Sequence, residues 1–170
     1  AAALATRNRR VGVIGTVATI RSHAYFQAIK DEDPFIDVVE VATPDLVPLV
    51  EAGQLGGALV EDVVERSLAP LLGDGERPDT LLLGCTHYPL LAPIIERLMG
   101  AEVAVIDSAR SAASALAHLL EVHGLAAPAD ALASHVQLTT GDVDAFRRIA
   151  EHMFGDQFPS VEPVAVAGAA

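Results

Sequence analysis

Short, continuous apolar runs alternate along this chain with longer segments whose apolar residues recur at helical spacing. A strand buried on both faces reads as such a run, and an amphipathic helix as such a period. The runs predict strands over Arg10–Gly15, Phe35–Ala42, Thr80–Leu83, Glu102–Ile106, His135–Thr139 and Val161–Val166. Helical spacing predicts one helix carrying Ile20, Tyr25 and Ile29, with Thr16 or Thr19 as its N-cap. A short helix follows over Leu46–Ala52, closed by Gly53. The longest helical stretch lies within Gln54–Gly73. There Leu55, Leu59, Val63, Leu68, Leu71 and Leu72 form the apolar side, and Glu61, Asp62, Glu65 and Arg66 the wet one. Another helix runs over about Leu90–Met99, and one begins at Asp107-Ser108 with Leu116, Leu119 and Leu120 on one face. The last is capped by Gly141-Asp142 and carries Val143, Phe146, Ile149, Ala150 and Met153. The segments Gly73-Asp74-Gly75-Glu76 and Ala126–Ala133 read as loops. Strands and helices in alternation with short turns mean an α/β fold with parallel sheets and right-handed crossovers. Residues 8–106 hold the first four strands and predict one Rossmann-like βαβ domain, leaving 107–170 as a separate remainder.

The candidate chemistry is concentrated in Asp79–Leu91, D-T-L-L-L-G-C-T-H-Y-P-L-L. A buried strand ends at Gly84, Cys85-Thr86-His87 follow, and Pro89 opens the next helix. This order puts the three polar side chains at the carboxyl end of a parallel strand, facing a helix N-terminus. Ligands bind there in open α/β sheets. Free backbone N–H groups at such a terminus favour a carboxylate, and they favour thiolate over thiol. Free cysteine is also among the most buried residue types; the position after Gly84, beside Thr86 and His87, favours function over packing.

Composition narrows the chemistry. The chain has 170 residues, 51% hydrophobic, with a net charge of -12 and a single cysteine. So acidic a chain has no electrostatic footprint for DNA or RNA, and no run approaches the ~20 apolar residues of a membrane span. One cysteine rules out an internal disulfide framework and fits a reducing cytosol. Gly12 and Gly15 do not complete a G-x-G-x-x-G loop. His118 and His123 lie too far apart on their helix to share a face, so no metal site is expected.

Gly84-Cys85-Thr86-His87-Tyr88-Pro89-Leu90-Leu91 resembles the signature around the second catalytic cysteine of bacterial glutamate racemases, and Arg10–Tyr25 is similar to the same family. The resemblance extends to the turn Thr139-Thr140-Gly141-Asp142. It implies cofactor-independent racemisation of glutamate, the D-isomer serving the cell wall, by two cysteines acting as acid and base on opposite faces of the substrate. Cys85 is then the base for the L-enantiomer. Thr86 and His87 hold the substrate or assist the thiol, and Thr16 and Thr19 contact the substrate. Glu51, otherwise a solvated glutamate at a helix end, pairs with His87. Related aspartate racemases tend to carry Glu at the position of His87. The family has two facing α/β domains, so residues 107–170 would complete a first domain that this chain lacks. No initiator methionine is present, and Ala1–Thr6 reads as the end of a helix already in progress. The resemblance therefore implies a C-terminal portion, inactive alone, of a cytoplasmic enzyme; it leaves a homodimer open. An aspartate-type racemase and a non-catalytic half-protein are the alternatives.

Overall fold

The computed structural model describes residues 1–73, 75–155 and 160–166, excepting the side chains of His152 and Met153. Asp74 of the expected loop therefore lies outside the described residues, and so does the side chain of Met153 from the last helical pattern. The chain divides into two compact units, Ala1–Gly124 and Leu125–Ala170.

The first unit is a doubly wound α/β layer structure. After a single helical turn, α1 (Ala2–Ala5), come β1 (Arg10–Gly15), α2 (Val17–Ser22), α3 (Ala24–Glu32) and β2 (Asp37–Ala42). Then follow α4 (Leu46–Glu51), α5 (Ala58–Leu72), β3 (Thr80–Leu83), a 3₁₀ turn (Tyr88–Leu91), α6 (Ala92–Met99), β4 (Ala104–Asp107) and α7 (Ser108–Val122). The four strands are parallel in the order β2-β1-β3-β4. The chain leaves β1 toward β2 and then returns across it to β3. The strand order thus reverses between β1 and β3, and the crevice beyond their carboxyl ends is the topological switch point.

Alternation of side chains across the pleat divides the core in two. Ile14, Leu81 and Leu83 face one way, into a cluster with Leu46, Val50, Val60, Val64, Leu68, Leu91 and Ile95 from α4, α5, the 3₁₀ turn and α6. Val11, Val13 and Leu82 face the other way and pack with Ala2, Ile29 and Ile36. Both faces being covered, β1 and β3 carry apolar residues at successive positions, which is why they read as unbroken runs. At the amino end of β3, Asp79 gathers the entry to β1. Its carboxylate accepts from the Thr6 hydroxyl at 2.6 Å and from the Arg7 and Asn8 N–H groups at 2.6 and 2.7 Å. Burial raises its pKa, but these bonds and one from Thr80 outweigh burial and leave it below the ordinary value.

Three local expectations are revised. The helix after β1 is two helices, broken at His23, whose φ of 51° is left-handed. No glycine or proline announces this break. The Ser22 hydroxyl bonds back to Thr19 C=O at 2.7 Å, and His23 Nδ1 meets Glu40 Oε2 at 2.5 Å, contacts that offset the backbone strain. The helix expected from Gln54 begins only at Ala58, after Gly57 at φ 94°. Its buried residues are Val60, Val64, Leu68 and Leu71, while Leu59 is exposed. The segment from Pro89 starts as a 3₁₀ turn and becomes α-helical at Ala92. Pro93 has no N–H to give to the carbonyl of residue 89, and that carbonyl takes the Ala92 N–H instead.

The second unit pairs β5 (Gln137–Thr139) in parallel with β6 (Val161–Pro163), connected through α8 (Val143–Phe154). Asp142 caps α8 by accepting from the Ala145 N–H at 2.6 Å. The strand β6 is shorter than the apolar run that announced it, ending at Pro163. No helix among the described residues is long and apolar enough to cross a membrane.

Candidate functional site

Gly84 prepares the site. Its N–H donates to Ile14 C=O at 2.8 Å, carrying the β1–β3 ladder one bond past the end of β3. A Cβ at this position would lie 2.8 Å from the Ile14 oxygen and 2.9 Å from Cε2 of Tyr25. Only glycine lets the strands stay this close. The chain then turns sharply. The Tyr88 N–H reaches back to Cys85 C=O at 3.3 Å, and Cys85, Thr86 and His87 stand outside the carboxyl end of β3.

Within that turn the side chains converge on His87. Its Nδ1 is 3.8 Å from Cys85 Sγ and 3.5 Å from Thr86 Oγ1. Its Nε2 is 3.4 Å from Oε1 of Glu51, the last residue of α4. Cys85 is half-buried against the apolar cluster, and the His87 side chain is 28% exposed. Nδ1 is the ring nitrogen turned toward the thiol, and Nε2 the one turned toward the carboxylate. A line of thiol, imidazole and carboxylate can serve as a thiol base with its proton acceptor and an orienting carboxylate.

Thr16 and Thr19 occupy the neighbouring strand end. Ile14 pairs with Leu83, so Thr16 leaves β1 beside the point where Cys85 leaves β3. Thr16 is the N-cap of α2, accepting from the Thr19 N–H at 3.2 Å, and the two hydroxyls are 2.9 Å apart. Capping is thus one role of Thr16 in this structure, and it holds both hydroxyls at the crevice.

Two polar residues without a role in the sequence reading support the site from below. Thr43 and Tyr88 are both buried, at 1% and 0% exposure. The Tyr88 hydroxyl donates to Thr43 C=O at 3.0 Å, and the Thr43 hydroxyl donates to the Tyr88 oxygen at 2.7 Å. Burial pushes the Tyr88 phenol up to about 12; the Thr43 bond opposes this and the Cys85 charge adds to it. The phenol therefore stays a donor at any physiological pH. Nothing in the spacing of Thr43-Pro44-Asp45 signals a partner for Thr43; the one hint is a tyrosine in a turn that must bury its hydroxyl or expose its ring.

Residues 1–116 match the family model described as Asp/Glu/Hydantoin racemase. The chain is 44% identical over 150 residues to a glutamate racemase of Exiguobacterium sibiricum, covering 88% of this chain and 55% of that protein. It is 44% identical over 151 residues to one of Listeria monocytogenes, covering 89% and 56%. The crystal structure of a glutamate racemase isoform from Bacillus anthracis superimposes with a TM-score of 0.85 at 38% identity, over 97% of this chain and 60% of that one. A glutamate racemase from Francisella tularensis, crystallised with D-glutamate, gives 0.83 at 30% identity, over 96% and 61%. The chain thus spans about half the length of the curated relatives it matches.

Proposed function

Since this chain belongs to the Asp/Glu/Hydantoin racemase family, we propose that it supplies one half of a glutamate-racemising active site. The line Glu51–His87–Cys85 at the β1/β3 switch point carries the reading. Racemisation removes the α-proton on one face and returns a proton on the other, so it needs two acid–base groups on opposite sides of the substrate. Cys85 is one of them. As thiolate it takes the α-proton of L-glutamate, while a thiol from outside this chain protonates the opposite face. His87 receives the Cys85 proton beforehand, and Glu51 orients the ring. Thr86, Thr16 and Thr19 donate hydrogen bonds to the substrate. The carbanion forms without a cofactor, stabilised by fixed donors in a site closed to water.

In this reading residues 8–106 are the domain bearing the second cysteine, and 107–170 return to complete the domain bearing the first. The enzyme works in the cytoplasm and provides D-glutamate for peptidoglycan. His87 in place of Glu favours glutamate over aspartate as substrate.

The test is steady-state kinetics on a protein that joins this chain to a segment carrying the first cysteine. His87→Asn lowers kcat for L-to-D turnover by roughly a hundredfold, with little change in KM, because it removes general acid–base help. Glu51→Gln acts in the same direction and more weakly. The double variant is little worse than His87→Asn alone, since groups acting as a unit are not additive. Fully additive losses, or an effect confined to KM, would refute the assigned roles.

A further inference from the structure

We infer that Thr43 and Tyr88 are positioning residues, which hold Cys85, His87 and Glu51 in register through their paired hydroxyls together with one shared carbonyl group; the inference rests on the acid–base reading of that line. The carbonyl is that of Thr43. It accepts from the Tyr88 hydroxyl at 3.0 Å and also from the Leu46 N–H at 3.3 Å, the first N–H of α4. The helix carrying Glu51 and the turn carrying His87 are therefore referred to the same atom. Thr43 in turn is fixed to β1, since its N–H donates to Gly15 C=O at 2.9 Å and its hydroxyl lies 3.3 Å from that oxygen. Gly15 precedes Thr16. Three adjacent strand ends are thus tied by one buried pair.

Within the turn the Tyr88 N–H donates to Cys85 C=O at 3.3 Å and the Leu90 N–H to His87 C=O at 3.2 Å, but these bonds do not tie it to the neighbouring strands. Upstream, Gly84 holds Ile14. Downstream, Tyr88 and Leu91 are fully buried, and of the two only Tyr88, one residue after His87, bonds through its side chain to another strand end. The Cys85–His87 and Glu51–His87 contacts, at 3.8 and 3.4 Å, are already at the long end for proton transfer and ion pairing. They tolerate little further loosening, and a displacement of 1 Å in such a site costs about a hundredfold. To the packing of the ring the hydroxyl adds a directional bond, which fixes its depth against Thr43.

Cys85 is the only cysteine, so its alkylation by iodoacetamide reports this site alone. In the parent chain near neutral pH, His87→Asn should slow alkylation about tenfold, because the ring no longer takes the thiol proton. In a Tyr88→Phe background the same His87→Asn change should alter the rate less than about twofold, the ring being already out of register. Thr43→Val should uncouple the pair in the same way, and Thr43→Ser, which keeps the hydroxyl, should restore the tenfold ratio. Rates are taken at a temperature where circular dichroism shows every variant folded. If Tyr88→Phe does not fold, the Thr43→Val and Thr43→Ser pair decides the question. A tenfold ratio persisting in Tyr88→Phe or Thr43→Val, with only the melting temperature lowered, means plain structural support and overturns the inference. A ratio of one in the parent background means that His87 does not serve Cys85. That outcome refutes the acid–base reading first, and the inference with it.

Discussion

Replacing Gly84 by alanine tests how tightly the site is built into the sheet. The added Cβ meets the Ile14 carbonyl oxygen at 2.8 Å and the Tyr25 ring at 2.9 Å. The ring can turn, but the oxygen is backbone within a four-strand parallel ladder and cannot. Gly84 must therefore withdraw, and the 2.8 Å bond from its N–H to that same oxygen lengthens or breaks. Overpacking of this kind costs about 1–3 kcal/mol and the lost bond about 1. The first unit should be destabilised by roughly 2–4 kcal/mol. Tyr25 and Tyr88 are the only tyrosines, there is no tryptophan, and both tyrosines lie in that unit. Near-ultraviolet circular dichroism during urea unfolding therefore follows it with tyrosines that flank the mutated position. Gly56→Ala is the control: no atom lies within 4 Å of its added Cβ, and the change should be neutral or stabilising by less than about 1 kcal/mol. A Gly84→Ala loss below about 0.5 kcal/mol, equal to the control, would refute the close approach drawn at the end of β3.

Three further outcomes are expected. Asp79 is held below its ordinary value of 3.8. Its contribution to stability is therefore complete above that pH and is lost as pH falls through the lower, folded value. Asp79→Asn should flatten the acid limb of the stability–pH curve of the first unit; an unchanged limb would contradict the clasp. Tyr88 is raised to about 12, so its contribution is complete below the ordinary phenol value near 10 and is lost as pH climbs toward 12. Ultraviolet titration of a Tyr25→Phe variant should show the remaining phenol ionising only in that high range, and ionisation near 10 in the folded state would refute its burial. The chain alone, with Cys85 as its one cysteine, should leave the circular dichroism of L-glutamate unchanged. A loss of signal that Cys85→Ala abolishes would show that one thiol suffices.

What could be read from the residues and what could not divides along a physical line. Local chemistry was legible. A strand covered on both faces must be apolar at successive positions, and β1 and β3 are. A helix start must satisfy its free N–H groups, and Thr16, Asp107 and Asp142 do so with their own side chains. Gly84 before Cys85 marked the place where a strand stops and a thiol is presented. The phase of α5 was not legible, because Leu59 and Val60 are both apolar and only the packing partner decides which is buried. Neither was the break at His23, which a side chain on another strand, Glu40, makes tolerable. The nearness of Glu51 to His87 came from a family resemblance and not from composition, since a helix-end glutamate usually faces water. The order β2-β1-β3-β4 brings α4 over the turn after β3, and that crossing sets the carboxylate 3.4 Å from the ring. The same crossing buries Tyr88 against Thr43. Such contacts join segments far apart in sequence, and their free energy exists only once the sheet has closed the distance between them.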